Sequence, residues 1–400
     1  MTPIKTLWQK ARPAFKLPRR KKLSNELLDQ VFIETKEEVD KLIESAEYIS
    51  LVSDGWTSIT QEHWTNYILT TPKPVFLKAN TTGEVRQTAE NIAADIEDII
   101  KTLDINKLSA VVTDNASVMK KAWGILSKNY PGVFFLGCIS HNLNLLINDI
   151  VKISWVDIVV KDSKKVVKYF KAHLIPSAVF KRHQKANYQY PTSLKLPVKT
   201  RWGSSVMCLQ SVIKNKLALE LTITELSFDS SFDLDSEVKL IIQSQQYWNN
   251  IVSTLIILNK LFDGIKFYES DQLNLAYFYD WYQNLFNSDD NLNYEIQEII
   301  EKRWEKIYNP IMMVAYFLNP KFKNHVLPEN CMNETKMTNI ILNYRIHSDY
   351  SVDISPNATI GDLKYKIKEK VPFDNFDLYV NDISRDVKYF NIDDLGKTYP

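Results

Sequence analysis

Three short stretches hold the residue types best suited to chemistry. The first is Ser53-Asp54-Gly55-Trp56-Thr57-Ser58, the second Thr113-Asp114-Asn115-Ala116, and the third Cys138-Ile139-Ser140-His141-Asn142-Leu143-Asn144-Leu145. Asp54 and Asp114 each stand at or just past the end of an apolar run. Carboxylates leaving neighbouring strands at one sheet edge can share divalent cations. Mg²⁺ takes oxygen ligands in an octahedron and completes it with water and substrate phosphate. Two such ions about 3.5–4 Å apart activate an attacking oxygen and stabilise a leaving one. A local alternative exists for each acid: Asp54 before Gly55 turns the chain, and Asp114 or Asn115 caps the following helix. The residues alone leave both readings open. Cys138 and His141 lack a second Cys/His pair at finger spacing, so zinc is not expected there.

The elements that must position these residues follow from periodicity. Leu27 to Ala46 is amphipathic, with Leu27, Val31, Val39, Leu42 and Ile43 near helical spacing. Ile49 to Trp56, Trp64 to Thr71 and Val75 to Ala79 read as three strands joined by short links, which favours antiparallel neighbours. Ile92, Ile96, Ile99, Ile100 and Leu103 then form a helical stripe. Leu108 to Val112 is a fourth strand, apolar enough for a central position. Asn115 to Lys128 reads as helix, Val133 to Leu136 as a fifth strand, and Leu143, Leu146, Ile147 and Ile150 mark another helix. The order β-β-β-α-β-α-β-α is the ribonuclease H-like arrangement, an α/β fold around a mixed five-stranded sheet. Beyond Trp202 the expected elements are helices over Val206 to Leu226, Val238 to Leu261, Ala276 to Phe286 and Ile296 to Leu318.

Four hundred residues with 45% hydrophobic content are enough for two or three cored domains. Only 9 glycines against 20 tyrosines indicate packed elements rather than disorder. No apolar run is long enough to cross a bilayer, and the basic N-terminus lacks the apolar segment of a secretory signal. Three scattered cysteines, Cys138, Cys208 and Cys331, suit reduced thiols. The net charge of +1 conceals segregation. The stretch before Glu26 carries +8 and Lys161 to Arg201 carries +10, leaving −17 for the remainder. Such clustering is an electrostatic footprint for nucleic acid, although a solvated basic face has the same composition. Arg19-Arg20-Lys21-Lys22 fits a nuclear address or a phosphate contact.

The three motifs, in this order, resemble the successive signatures of hAT-superfamily transposases, in particular the branch whose core is a domain of unknown function. Thr200-Arg201-Trp202 resembles that family's Arg-Trp motif. Tyr316-Phe317-Leu318-Asn319-Pro320-Lys321-Phe322 resembles its leucine-aspartate-proline-arginine-phenylalanine motif, late in a large helical insertion. The resemblance spans roughly Pro13 to Lys323 and implies metal-dependent DNA strand transfer by three acids. Asp54 and Asp114 align with the first two, as Mg²⁺ ligands. It also implies His141 near the scissile phosphate and Trp202 stacked on an unpaired or flipped base; a core tryptophan at a helix junction remains the alternative for Trp202. The family's third acid, a glutamate on a later helix in a dimerisation segment, has no counterpart. Glu329 and Glu334 follow only in a polar link, and no N-terminal Cys/His finger precedes the core.

Leu342-Asn343-Tyr344-Arg345-Ile346, Ser351-Val352-Asp353-Ile354 and Ala358-Thr359-Ile360-Gly361-Asp362-Leu363-Lys364 resemble the ubiquitin-like header of Crinkler-type proteins. This implies a small β-grasp unit that lacks its central closing strand. The expected organisation is a basic arm (1–22), a ribonuclease H-like core (23–160), a basic connection with the Arg-Trp motif (161–201), an all-helical insertion (202–325), a linker (326–339) and the ubiquitin-like segment (340–400).

The function expected is that of a transposase-derived DNA-binding relic in the nucleus or cytoplasm, which holds Mg²⁺ weakly and does not complete strand transfer. Its phosphate contacts would be Lys164, Lys165, Lys168, Lys171, Lys181, Arg182, Lys185, Lys199 and Arg201, with Trp202 beside them. No membrane partner is expected, and self-association would have to manage without the family's dimerisation segment. The alternatives are an active Mg²⁺-dependent nuclease and a non-enzymatic scaffold whose ubiquitin-like tail binds a protein partner.

Overall fold

The computed structural model describes residues 19–322 apart from 72, 199–201, 230–231, 270–274 and 288–292. Glu329, Glu334 and the expected ubiquitin-like segment lie outside the described residues, as do Lys199 and Arg201. The chain divides into two compact units, one of residues 1–112 and 121–135, the other of residues 113–120 and 136–400.

The first unit opens with helix α1 (Leu28–Ser45), which continues backwards through a π-helical turn (Leu23–Leu27) and a short turn at Arg20–Lys22. Strands β1 (Ile49–Thr57), β2 (His63–Thr70) and β3 (Pro74–Thr81) follow as antiparallel neighbours. Helix α2 (Ala89–Ile100) starts where Thr88 accepts a hydrogen bond from the Asn91 N–H, the usual remedy for an unpaired first-turn donor. Strand β4 (Leu108–Thr113) lies parallel to β1, with Leu51 across from Val111 and Val52 across from Val112. Helix α3 (Ser117–Asn129) and strand β5 (Phe134–Gly137) complete the five-stranded sheet, whose order is β3-β2-β1-β4-β5. This is the mixed, ribonuclease H-like sheet that the periodicity predicts. Period-two burial explains the faces: Ile49, Leu51 and Ser53 of β1 are buried, and so are their register partners Leu69 and Tyr67. Ile92, Ile96, Ile99 and Ile100 form the buried stripe of α2.

The second unit is helical: α4 (Ile139–Val151), α5 (Ser154–Ala172), α6 (Leu174–Asn187), α7 (Ser204–Ile213), α8 (Lys216–Phe228), α9 (Ser236–Gln243), α10 (Gln245–Tyr268), α11 (Leu275–Asn287), α12 (Tyr294–Ile307) and α13 (Pro310–Leu318). They share one apolar core, centred on residues such as Leu143, Val166, Leu209, Leu258 and Tyr282. The stretch 161–201, read from sequence as a connection, is mostly structured here: α5 and α6 occupy most of it.

Three expected long helices are each two. Asn215 divides Val206 to Leu226. Its buried amide donates to the carbonyls of Ser211 (2.7 Å) and Thr192 (3.1 Å) and accepts from Gln184 (2.6 Å). Ser244 divides Val238 to Leu261 by capping α10 through the Tyr247 N–H. Pro310 divides Ile296 to Leu318, since it has no N–H to give to a continuing helix and is tolerated only at the start of a new one.

Candidate functional site

In the first unit, Asp54 is an exposed residue of β1 directly across from Asn66 of β2. Two residues on, Trp56 faces Trp64, and their rings stack with centroids 6.4 Å apart and planes 17° apart. Opposed residues share a sheet face, so Asp54, Asn66 and both tryptophans project from the same side. Gly55 lies between them where a Cβ would come within 3.2 Å of His63 Nε2. Asp54 is therefore held in the ladder of a regular strand. The turn alternative for it does not apply.

In the second unit, three of the sequence motifs are tied to one another. Asp114 Oδ1 accepts the Ala116 N–H at 2.7 Å, an Asx-type turn that ends β4 and delays α3 to Ser117, two residues later than the periodicity indicates. The buried Thr113 accepts the Cys138 N–H on its carbonyl at 2.7 Å. The Asn115 side chain fills the space where a Cβ on Gly137 would stand. Cys138 is the N-cap of α4, and one turn further His141 is half-buried. The His141 ring meets Trp202 edge-on at 6.0 Å, and Asn144 Oδ1 accepts the Gly203 N–H at 3.3 Å. Trp202 is half-buried and packs against the helical core. Gly203 adopts a left-handed conformation (φ +62°) to start α7, with the Phe262 ring occupying the place of its absent side chain.

Asp114/Asn115, Gly137/Cys138, His141/Asn144 and Trp202/Gly203 thus form one continuous chain of contacts. Gly137 and Gly203 carry no signal in spacing or residue type, and Asn144 stands within the third motif with no role of its own read from sequence. For the two glycines the available signal was adjacency to motif residues.

The donor set for Mg²⁺ is thin. Among the described residues no group of three or more His, Cys, Asp or Glu side chains is placed to hold a metal ion. One Asp114 oxygen already accepts a backbone N–H. Two aspartates cannot supply the oxygen cage of a two-ion centre without many water or substrate ligands. The described residues do not fit that centre.

The basic residues sort clearly. At 100° per residue, Lys161, Lys164, Lys165, Lys168 and Lys171 fall on one stripe of α5, opposite the buried Val156, Val159, Val166 and Phe170. Lys161 pairs with Asp157 at 2.6 Å and Lys165 with Glu237. On α6, Arg182 pairs with Glu225, which His183 also contacts at 2.8 Å. These bonds, the one from His183 first, hold the Glu225 carboxyl below the usual glutamate range. Among the described residues, Lys164, Lys168 and Lys171 of α5 and Lys181 and Lys185 of α6 make no ion pair. Lys164 and Lys171 stand about 10 Å apart along the helix axis, at 1.5 Å per residue.

No helix among the described residues is long and apolar enough to cross a membrane. Cys138 and Cys208 form no disulfide with each other. No curated protein matches the chain. Residues 18–166 match the family model described as "Domain of unknown function (DUF659)", which takes in helix α1, the whole five-stranded sheet and most of α5.

Proposed function

We propose that this chain is a transposase-derived nucleic-acid-binding protein that engages phosphates through α5 and α6 and no longer completes strand transfer. One observation carries the reading: Lys164, Lys168 and Lys171 form an unpaired cationic stripe on the face of α5 opposite its core side. Lysines spaced along one helix face neutralise successive phosphates and release their counterions. The order of the sequence motifs, the ribonuclease H-like sheet and the match over residues 18–166 support the ancestry. The loss of cleavage rests on the sequence motifs, which offer no counterpart for the third acid of the family they resemble.

The test is fluorescence anisotropy of the full chain on labelled duplex and single-stranded DNA over a salt series, with nicking measured in parallel. Binding is expected to weaken with salt, log K falling by about 0.9 per phosphate contact against log salt on duplex. Replacing Lys164, Lys168 and Lys171 by Gln should flatten that slope by about 2 to 3. Absent or salt-independent binding overturns the reading. Mg²⁺- or Mn²⁺-dependent nicking abolished by Asp54→Ala and Asp114→Ala would instead show that cleavage survives.

A further inference from the structure

Strand β3 is an edge of the sheet, with β2 as its neighbour on one side and none on the other among the described residues. The Thr82 N–H donates to the His63 carbonyl at 3.1 Å. Alternation along the antiparallel ladder then turns the N–H and C=O groups of Ala79 and Thr81 away from β2. Those outward groups meet no other backbone group among the described residues. Such a row is a template for an added strand. Beside this edge lies a cavity of about 210 Å³ between β3 and α2. Leu77, Lys78 and Asn80 form one wall, and Asp95, Asp98 and Ile99 the other. The volume suits one long side chain rather than a whole small-molecule ligand.

The chemistry of the cavity selects that side chain. Asp95 and Asp98 stand one turn apart on the same side of α2. Asp95 is half-buried and forms no ion pair with a described residue, and Asp98 meets only the exposed Lys101, at 3.7 Å. Lys78 is exposed at the rim and pairs with neither acid. Tyr67 projects from the same sheet face as its register partner Lys78. It is 1% exposed, and its hydroxyl bonds to no described residue. Burial first, then Asp95 and Asp98, push that phenol up to about 12. Burial, then Asp98, also raises the Asp95 carboxyl. A cation with several N–H donors satisfies both carboxylates and the hydroxyl together, and a guanidinium carries five in one plane. A strand laid along Ala79 to Thr81 sends alternate side chains to the α2 side, where these acceptors stand. The same carboxylates repel a nucleic-acid phosphate.

We propose that the β3 edge binds an extended peptide as an added strand, with one Arg or Lys side chain of the peptide seated between Asp95 and Asp98. The inference is independent of nucleic-acid binding. The probes are pools of labelled peptides about eight residues long, random except for a central Arg, Lys, Gln or Glu. They are titrated against the full chain by fluorescence anisotropy. The Arg and Lys pools should bind at least about tenfold more tightly than the Gln and Glu pools. Asp95→Asn with Asp98→Asn should erase that preference. Glu37→Gln with Glu38→Gln removes the same charge from exposed positions of α1 and should leave it intact. Ala79→Pro removes an outward N–H without touching the ladder to β2, where an edge strand tolerates proline. It should abolish binding of every pool with an unchanged circular dichroism spectrum. Should that variant misfold, peptide pools N-methylated throughout remove the same hydrogen bonds from the other side, and they should not bind. The proposal is overturned if the Arg and Lys pools bind no better than the Gln and Glu pools. It is equally overturned if the preference survives Asp95→Asn with Asp98→Asn, or if binding survives backbone methylation.

Discussion

Gly137 has no room for a methyl group, because the Asn115 side chain already occupies the space that a Cβ would fill. Ala at this position must displace Asn115 from the turn joining β4 to α3, so Gly137→Ala should cost about 1 to 3 kcal/mol, the usual range for overpacking. Gly124 provides the opposite case: it lies inside α3 with nothing within 4 Å of its Cβ position. Gly124→Ala should stabilise by about 0.5 to 1 kcal/mol through helix propensity. Urea midpoints of the two variants moving in the same direction would contradict this account. The comparison also marks what was legible at this scale. Asp54, Asp114, His141 and Trp202 were visible because their residue types advertise chemistry. Gly137 and Gly203 were not, because a close approach and a left-handed cap leave no trace in residue type until the partners Asn115 and Phe262 are placed, and Asn144 was visible only as a motif member, its bond to the Gly203 N–H being tertiary.

At the scale of elements, hydrophobic periodicity located all five strands and the helices of the first unit, because one-sided burial writes itself into spacing. It failed at three helix breaks, where a single polar or proline residue outweighs a continuing apolar pattern: Asn215, Ser244 and Pro310. Tertiary hydrogen bonds decide the first of these, and a window of sequence does not contain them. The packing between helices has a testable consequence as well. Cys208 of α7 is fully buried, and the Ser163 and Tyr247 hydroxyls join α5 to α10 at 2.9 Å. Burial pushes the Cys208 thiol up from 9.0 to about 11, and burial likewise raises the Tyr247 phenol. The folded state therefore keeps the Cys208 proton over a range in which the unfolded chain loses it. This contribution to stability is complete below about pH 9 and disappears as pH rises towards 11. Urea midpoints should hold level up to that point and then fall. Cys208→Ala should lower the midpoint at neutral pH by about 1 kcal/mol for the lost packing, and it should make the decline above pH 9 shallower. An equally steep decline in the variant would assign the alkaline loss to other groups, the buried tyrosines first.

For the molecule as a whole, net charge and charge placement make different predictions. The chain carries only +1 formally and has a pI near 7.6, so at about pH 8.5 it is a net anion while its lysines remain charged. If net charge governed association with polyanions, raising the pH across the pI would release the chain from an immobilised polyanion. If the stripe on α5 governs it, retention should persist, because the local potential is set by lysines within a Debye length of about 10 Å rather than by acids elsewhere on the molecule. The comparison needs variants matched in charge. Lys164→Gln, Lys168→Gln and Lys171→Gln remove three charges from one helix face, whereas Lys73→Gln, Lys78→Gln and Lys128→Gln remove three exposed charges from the first unit. Both sets shift the net charge equally. The first should elute at markedly lower salt than wild type at about pH 8.5, and the second should elute close to wild type. Equal loss in both sets would make the association a bulk electrostatic effect and would remove α5 as its seat.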